Sequence, residues 1–472
     1  MRRRLSAALQ RTLVLVIPMI GLASVAMLNG YPLVHSDTGA YVRSSFTFEI
    51  PRDRPVFYSM FLWLSRAVGA SLWSTVLLQS LLAALLIQCF VQARQDRRAA
   101  GAWRSAAITL LLIAVSCVAW VSSIVMADLF TGLLFVAVMT LVLDGRLARR
   151  GQALFLVLVI AFIALVHSSN LIILPLFLIC MRALLQPHWR THRRAYGAAW
   201  IAFALALVAL PAVNGALSGR MSGPAGSQVF LLARWIELGA VGELLDERCT
   251  LEPYALCADR DRVRSASGDW FLWAADSPLT GLGGFDTPEA VTWPILRDTW
   301  RYHWAAVVRG AGAGFWAQLN TFSTGSFHEH YGTDTAVDTA LHAHFPREYN
   351  AWQGSLQQRA ALRDIGLSLD RVHRPVVLIS ALALLLIALP RRSIWPVAIS
   401  PTSRLLARAV LLFVLVNAAV CGALTSTHDR YGRRVVWLLA LVLAEIVAHE
   451  WDARRRGRDE RSTPPVVRVV AR

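Results

Sequence analysis

Runs of roughly 18 to 22 residues almost free of charge recur along this chain, and they restrict its fold more than any other feature. About 20 apolar residues at 1.5 Å rise cross roughly 30 Å of hydrocarbon. In that solvent the backbone must satisfy its own hydrogen bonds, which a helix does within one segment. The runs fall at about 12–29, 72–92, 105–125, 129–144, 153–167, 170–184, 197–213, 374–390, 405–425 and 435–449. The pair 153–167 and 170–184 is short and divided only by "HSSN", so it reads as two spans or as one long broken helix. Charged residues make up 16% of the 472, where a soluble chain is nearer roughly a quarter. The expected fold is an all-α polytopic membrane protein with about ten transmembrane helices.

Net charge is +17, and all 47 basic residues are arginine. They concentrate in the N-terminus, 93–104, 144–151, 182–196, 390–404 and the tail 450–472. One topology puts all of these on the cytoplasmic side, as the positive-inside rule demands. The expectation is therefore a multi-pass protein of a bacterial inner membrane with both termini cytoplasmic. No basic soluble module stands out, so nucleic acid is not an expected partner. Arg2, Arg3, Arg4 and Arg11 precede the first run and no small-residue cleavage site follows it, so that run reads as a retained span.

The division that follows is a transmembrane module at 1–213 with a long first outer loop at 30–71, a periplasmic segment at 214–373, helices at 374–449 and a basic cytoplasmic tail at 450–472. The 214–373 segment reads as ordered and mainly helical. Apolar residues recur at helical spacing in "SQVFLLARWIELGAVGELLDE", and a Trp-rich amphipathic stretch follows at 288–322. Arg309, Gln318 and several glycines argue against a crossing at 305–320. Trp270, Trp273, Trp293, Trp300, Trp304 and Trp316 suit either sugar stacking or an interfacial belt. Cys89, Cys117, Cys180 and Cys421 lie in apolar runs, whereas Cys249 and Cys257 sit in the polar "DERCTLEPYALCADR" and are expected to pair in an oxidising compartment.

Four outer loops carry the polar groups that have no place in a plain connector. The first brings His35, Asp37, Tyr41 and Asp53. The second brings Asp128, the third His167 and Asn170, and the last His428, Arg430, Tyr431, Arg433 and Arg434. Charge at a bilayer edge is costly unless paired or solvated. A carboxylate in a partly desolvated cleft can take a proton from a hydroxyl, and arginines can hold a phosphate in bidentate fashion and stabilise it as it leaves. Base, phosphate clamp and apolar groove together suit sugar transfer from a lipid-linked donor. The plainer roles are helix capping for Asp37 and Asp128, a loop ion pair for Asp53, and headgroup anchoring for the late arginines. His328, Glu329, His330, His342 and His344 could bind metal only if their spacing fell on one face, and no cysteine or acidic set completes such a site.

The layout resembles the GT-C class of membrane glycosyltransferases, which includes protein mannosyltransferases and the lipid A aminoarabinose transferase. The resemblance rests on "HSDTGAY" followed by "DRPVFYS", on "MADLFTGLLF", on "HSSNLIILPLFL" and on "HDRYGRR", and it covers the first six spans and the last two. It implies a polyprenyl-phosphate sugar donor, a lipid or glycan acceptor hydroxyl and an inverting transfer. Asp37 is then the expected base, with Asp53 and Asp128 as further catalytic carboxylates. Arg430, Arg433 and His167 would hold the donor phosphate, and His35, Tyr41, His428 and Tyr431 the acceptor. His167 stands where some relatives carry a stronger cation. The first loop has no Asp-X-Asp pair, which favours a monophosphate donor; no resident metal site is expected, although a divalent ion could assist. The competing expectations are a transporter or flippase of a lipid-linked sugar and a non-catalytic subunit of an envelope polysaccharide complex.

Overall fold

A computed structural model describes residues 2–94, 98–143, 150–223, 226–326, 329–389 and 399–462. Among the described residues the regular secondary structure is helix, apart from one isolated parallel bridge between Leu33 and Ile124. Most of the Arg-rich stretch at 144–151, most of 390–404 and the last ten residues lie outside the described residues.

Four helices are both long and apolar enough to cross a membrane: Leu72–Gln92, Trp189–Ser218, Ala361–Ala388 and Pro401–Leu424. The other expected spans are shorter or interrupted. The first breaks at Ala23 into Arg2–Leu22 and Ser24–Asn29, and the third breaks near Cys117 into Arg98–Val115 and Val118–Ser123. Asp128–Leu143 has 16 residues, about 24 Å at 1.5 Å per residue, and is buried at every position but the last. It is apolar on all sides because protein, rather than lipid, surrounds it. The "HSSN" stretch separates a pair of helices, Arg150–Val166 and Asn170–Leu184.

The 214–373 stretch contains two different kinds of structure. Residues between Val229 and Val307 build a core of their own, including Leu232, Trp235, Leu244, Phe271 and Ile295. Cys249 and Cys257 are disulfide-bonded within it. Val337, Leu341, Phe345, Trp352 and Leu362 instead join the core of the main bundle. Between the two runs the 32-residue Glu289–Asn320 helix, which departs from helical geometry at His303. It packs along Pro401–Leu424 where Gly314 and Gly422 let the two backbones meet.

The 331–362 stretch clasps the first loop. The Gln357 amide accepts from the Val34 N–H at 3.1 Å and donates to the Val34 carbonyl at 2.8 Å. The Ala336–His344 helix lies across Ser36–Thr47, and a Cβ on Gly39 would collide with the Ala336 carbonyl. Gly39→Ala should therefore destabilise the protein by about 1–3 kcal/mol, the usual cost of overpacking a tight contact. A melting temperature in detergent equal to that of the wild type would refute that contact.

His328 lies outside the described residues. The ring of His344 stacks on Phe46 at 4.2 Å and that of His342 meets Tyr349 edge-on at 5.1 Å, so both serve packing.

Candidate functional site

The Ser36–Thr47 helix starts at His35, whose extended backbone (φ −131°, ψ 166°) makes it the capping residue. Its Nδ1 accepts from the Asp37 N–H at 3.4 Å, while Thr38 Oγ1 accepts from the His35 N–H at 2.8 Å. The cap is thus the histidine, and the Asp37 carboxylate is released for other partners. Thr38 also donates to the Val125 carbonyl at 3.0 Å, and Val125 N–H donates to Leu33 O at 2.8 Å. These bonds tie the first loop to the turn that leads into Asp128.

Asp37 is held between two arginines from opposite ends of the chain. Arg54 Nη1 is 3.0 Å from one carboxylate oxygen and Arg430 Nη1 is 2.9 Å from the other. Burial alone would raise the Asp37 pKa, but Arg54 and Arg430 outweigh it and hold the carboxyl well below its usual range. Burial keeps His35 neutral by lowering its pKa, against the pull of Asp37, which suits an imidazole that accepts a capping bond. Asp53 grips Arg54 with both oxygens, one of them accepting from Nε at 3.0 Å. Arg430 Nη2 donates to the Tyr431 hydroxyl at 2.8 Å. Tyr41 lies under the Arg54 guanidinium, 5.1 Å from ring centroid to Cζ, and packs edge-on against Tyr58.

Two cavities meet at this cluster. The larger, about 860 Å³, is the more polar of the two and is lined by His35, Asp269, Glu329 and His428 besides the cluster. The smaller, about 330 Å³, is mainly apolar, with Ile172, Leu231, Val420 and Leu424 in its walls beside His167. Asp37, Asp53, Arg54, Arg430 and Tyr431 line both, as do Phe230 and Trp273. Both guanidiniums thus line the more polar and the more apolar cavity at once.

Of the other expected residues, His167 and His428 line one cavity each, while Asp128 and Arg433 line neither. Asp128 is 4% exposed and lines neither cavity; its carboxylate lies 3.7 Å from Arg434. Arg433 also lines neither cavity, and its Nη1 donates to the Thr324 carbonyl at 2.9 Å. His167 Nδ1 accepts from the Ser169 N–H at 3.2 Å at the start of the next helix. His428 approaches Asp269, with Nε2 to Oδ2 at 3.5 Å.

Two participants, Arg54 and Asp269, carry little or no signal in the sequence. Arg54 is legible there only as a neighbour of Asp53 in "RDRP", yet it is the cation closest to the Asp37 carboxylate beside Arg430. Asp269 is a lone acid ahead of "WFLW" with no local signal. Arg434 braces the cluster from beneath through Asn417 and Ser169. Among the described residues no group of three His, Cys, Asp or Glu side chains is placed to hold a metal ion.

Searches against protein-family models, curated proteins and solved structures found no match for this chain.

Proposed function

We propose that this protein is an integral membrane glycosyltransferase of the GT-C type with about ten spans, active at the outer face of a bacterial inner membrane. It moves a sugar from a polyprenyl-phosphate carrier to a hydroxyl of an envelope lipid or glycan, with inversion. The observation that carries the reading is the convergence of Arg54 and Arg430 on the wall shared by a larger, more polar cavity and a smaller, mainly apolar one. A lipid-linked phosphosugar has the matching groups in the matching order: isoprenoid, phosphate, sugar. The disulfide between Cys249 and Cys257 fits an oxidising compartment on that side.

In this reading the phosphodiester rests on the two guanidiniums. As the anomeric C–O bond breaks, the electron pair leaves with the polyprenyl phosphate and the added negative charge falls on Arg54 and Arg430. The clamp then binds the departing phosphate more strongly than the donor, which is what accelerates a reaction. Asp37 serves as the anion that keeps the two cations together before the donor arrives. Its ion pairs make it a weak base for the acceptor hydroxyl.

A transporter of lipid-linked sugar would draw on buried charge inside the bundle, and Arg94 and Glu445 are such a pair at 3.9 Å. Glu445 stands 16 residues along the helix from Asp429, about 24 Å at helical rise, and neither residue lines either cavity. That favours sugar transfer. The deciding experiment is mass spectrometry of lipid that copurifies with the protein, followed by incubation with a panel of radiolabelled polyprenyl-phosphate hexoses and envelope extract. Bound polyprenyl phosphate and its time-dependent release are expected. Donor carried across vesicles intact, with no sugar released from the carrier, would select the transporter instead.

A further inference from the structure

We infer that His428, paired with Asp269, is the general base that takes the proton from the acceptor hydroxyl. This rests on the sugar-transfer reading and replaces Asp37 in one of its roles. Asp37 is occupied on both oxygens by guanidiniums, at 3.0 and 2.9 Å. A base must have an unshared pair to offer, and a carboxylate clamped in this way offers its own only at the expense of two ion pairs.

His428 is better placed for that task. It lines the polar cavity together with Asp37 and Arg430. Its Nε2 faces Asp269 Oδ2 at 3.5 Å, an arrangement that puts the ring proton on Nε2 and leaves Nδ1 as the lone-pair nitrogen. The same logic of a carboxylate setting the tautomer of a basic imidazole operates in hydrolytic triads. The contact with His428 holds Asp269 below the usual carboxylate range, against the opposing effect of burial. Gln318 fixes the histidine backbone from both sides, donating to its carbonyl at 3.0 Å and accepting from its N–H at 3.1 Å. The imidazole is held but not sealed, with 34% of the side chain exposed.

The reach is also right. The His428 ring lies 5.7 Å from the Tyr431 ring, and the Arg430 guanidinium lies 4.7 Å from that same ring. The histidine and the phosphate clamp are therefore no farther apart than those two distances laid end to end, and both line the same cavity. The other charged groups around the histidine are Arg430, Arg234, Glu329, and Glu237 through Ser426. In the step itself the acceptor oxygen forms its bond to the anomeric carbon while the bond to phosphate breaks. The hydroxyl proton passes to Nδ1, the imidazolium is balanced by Asp269, and the proton leaves to water through the open cavity.

The test compares wild type with His428→Gln, Asp269→Asn, Asp269→Glu and Asp37→Asn, using release of polyprenyl phosphate from radiolabelled polyprenyl-phosphate hexose in the presence of envelope extract. His428→Gln should lower kcat about 10²- to 10⁴-fold with little change in donor KM and in melting temperature. Asp269→Glu should retain more activity than Asp269→Asn. His428→Gln at the wild-type rate overturns the inference alone, as does a loss of kcat confined to Asp37→Asn. A wild type that releases no polyprenyl phosphate from any donor overturns the sugar-transfer reading and the inference with it.

Discussion

Arg430→Gln should cut the rate of polyprenyl phosphate release about 10²- to 10³-fold, the cost of removing one preorganised donor to a developing oxyanion. The effect should fall on kcat as well as on donor KM, because the phosphate gains charge in the transition state. Arg54→Gln should behave in the same way, since both guanidiniums meet at Asp37. Arg430→Lys should recover little, because a single ammonium cannot reproduce a planar fork that serves Asp37 and Tyr431 together. Arg433→Gln provides the contrast. Its partner is the Thr324 carbonyl, so the loss should appear in the melting temperature and not in the rate per folded molecule. Single-turnover kinetics beside thermal melts separate the two. Equal catalytic losses in Arg430→Gln and Arg433→Gln would refute the assignment of the clamp.

Arg434→Leu should destabilise the protein by about 3–5 kcal/mol, the cost of stripping the partner from a buried charge. Arg434 is 0% exposed. It donates to Asn417 Oδ1 from Nε at 3.0 Å and from Nη2 at 2.9 Å, reaches Ser169 Oγ at 3.0 Å, and lies 3.7 Å from Asp128. One side chain thus joins three separate regions of the bundle beneath the cluster. Removing it leaves Asp128 buried without its counter-charge. The double variant Asp128→Asn with Arg434→Leu should therefore be more stable than Arg434→Leu alone. A melting temperature for the single variant within a degree or so of the wild type, or a double variant worse than the sum of its single changes, would show that the pair does not couple.

Asp128 illustrates how far a local pattern carries. Its position at the head of an apolar run marks it as a charge that needs a partner. In the structure that carboxylate lies against Arg434 and off both cavities. Arg433 and Arg430 look equivalent in "DRYGRR". They lie three residues apart, near neighbours on a helix, yet they serve different partners because Arg433 is next to the Thr324 backbone and Arg430 is next to Asp37. His35 shows the reverse case. Expected as an acceptor ligand, it makes the capping bond that presents Asp37.

The sequence alone determined that this chain is helical and carries long apolar segments, because run length and the need to satisfy backbone hydrogen bonds in hydrocarbon are local properties. It also singled out Asp37 and Arg430, which meet in the structure, and the Cys249–Cys257 pair, which is disulfide-bonded. Only the tertiary structure decided that, among the described residues, four helices are both long and apolar enough to cross, since burial of a short apolar helix such as Asp128–Leu143 by its neighbours leaves the same sequence signature as burial in lipid. It also decided which cation meets which anion. Those pairings join residues hundreds of positions apart, such as Asp37 with Arg430, and no local pattern encodes a contact that exists only once the loops have been brought to one end of the bundle.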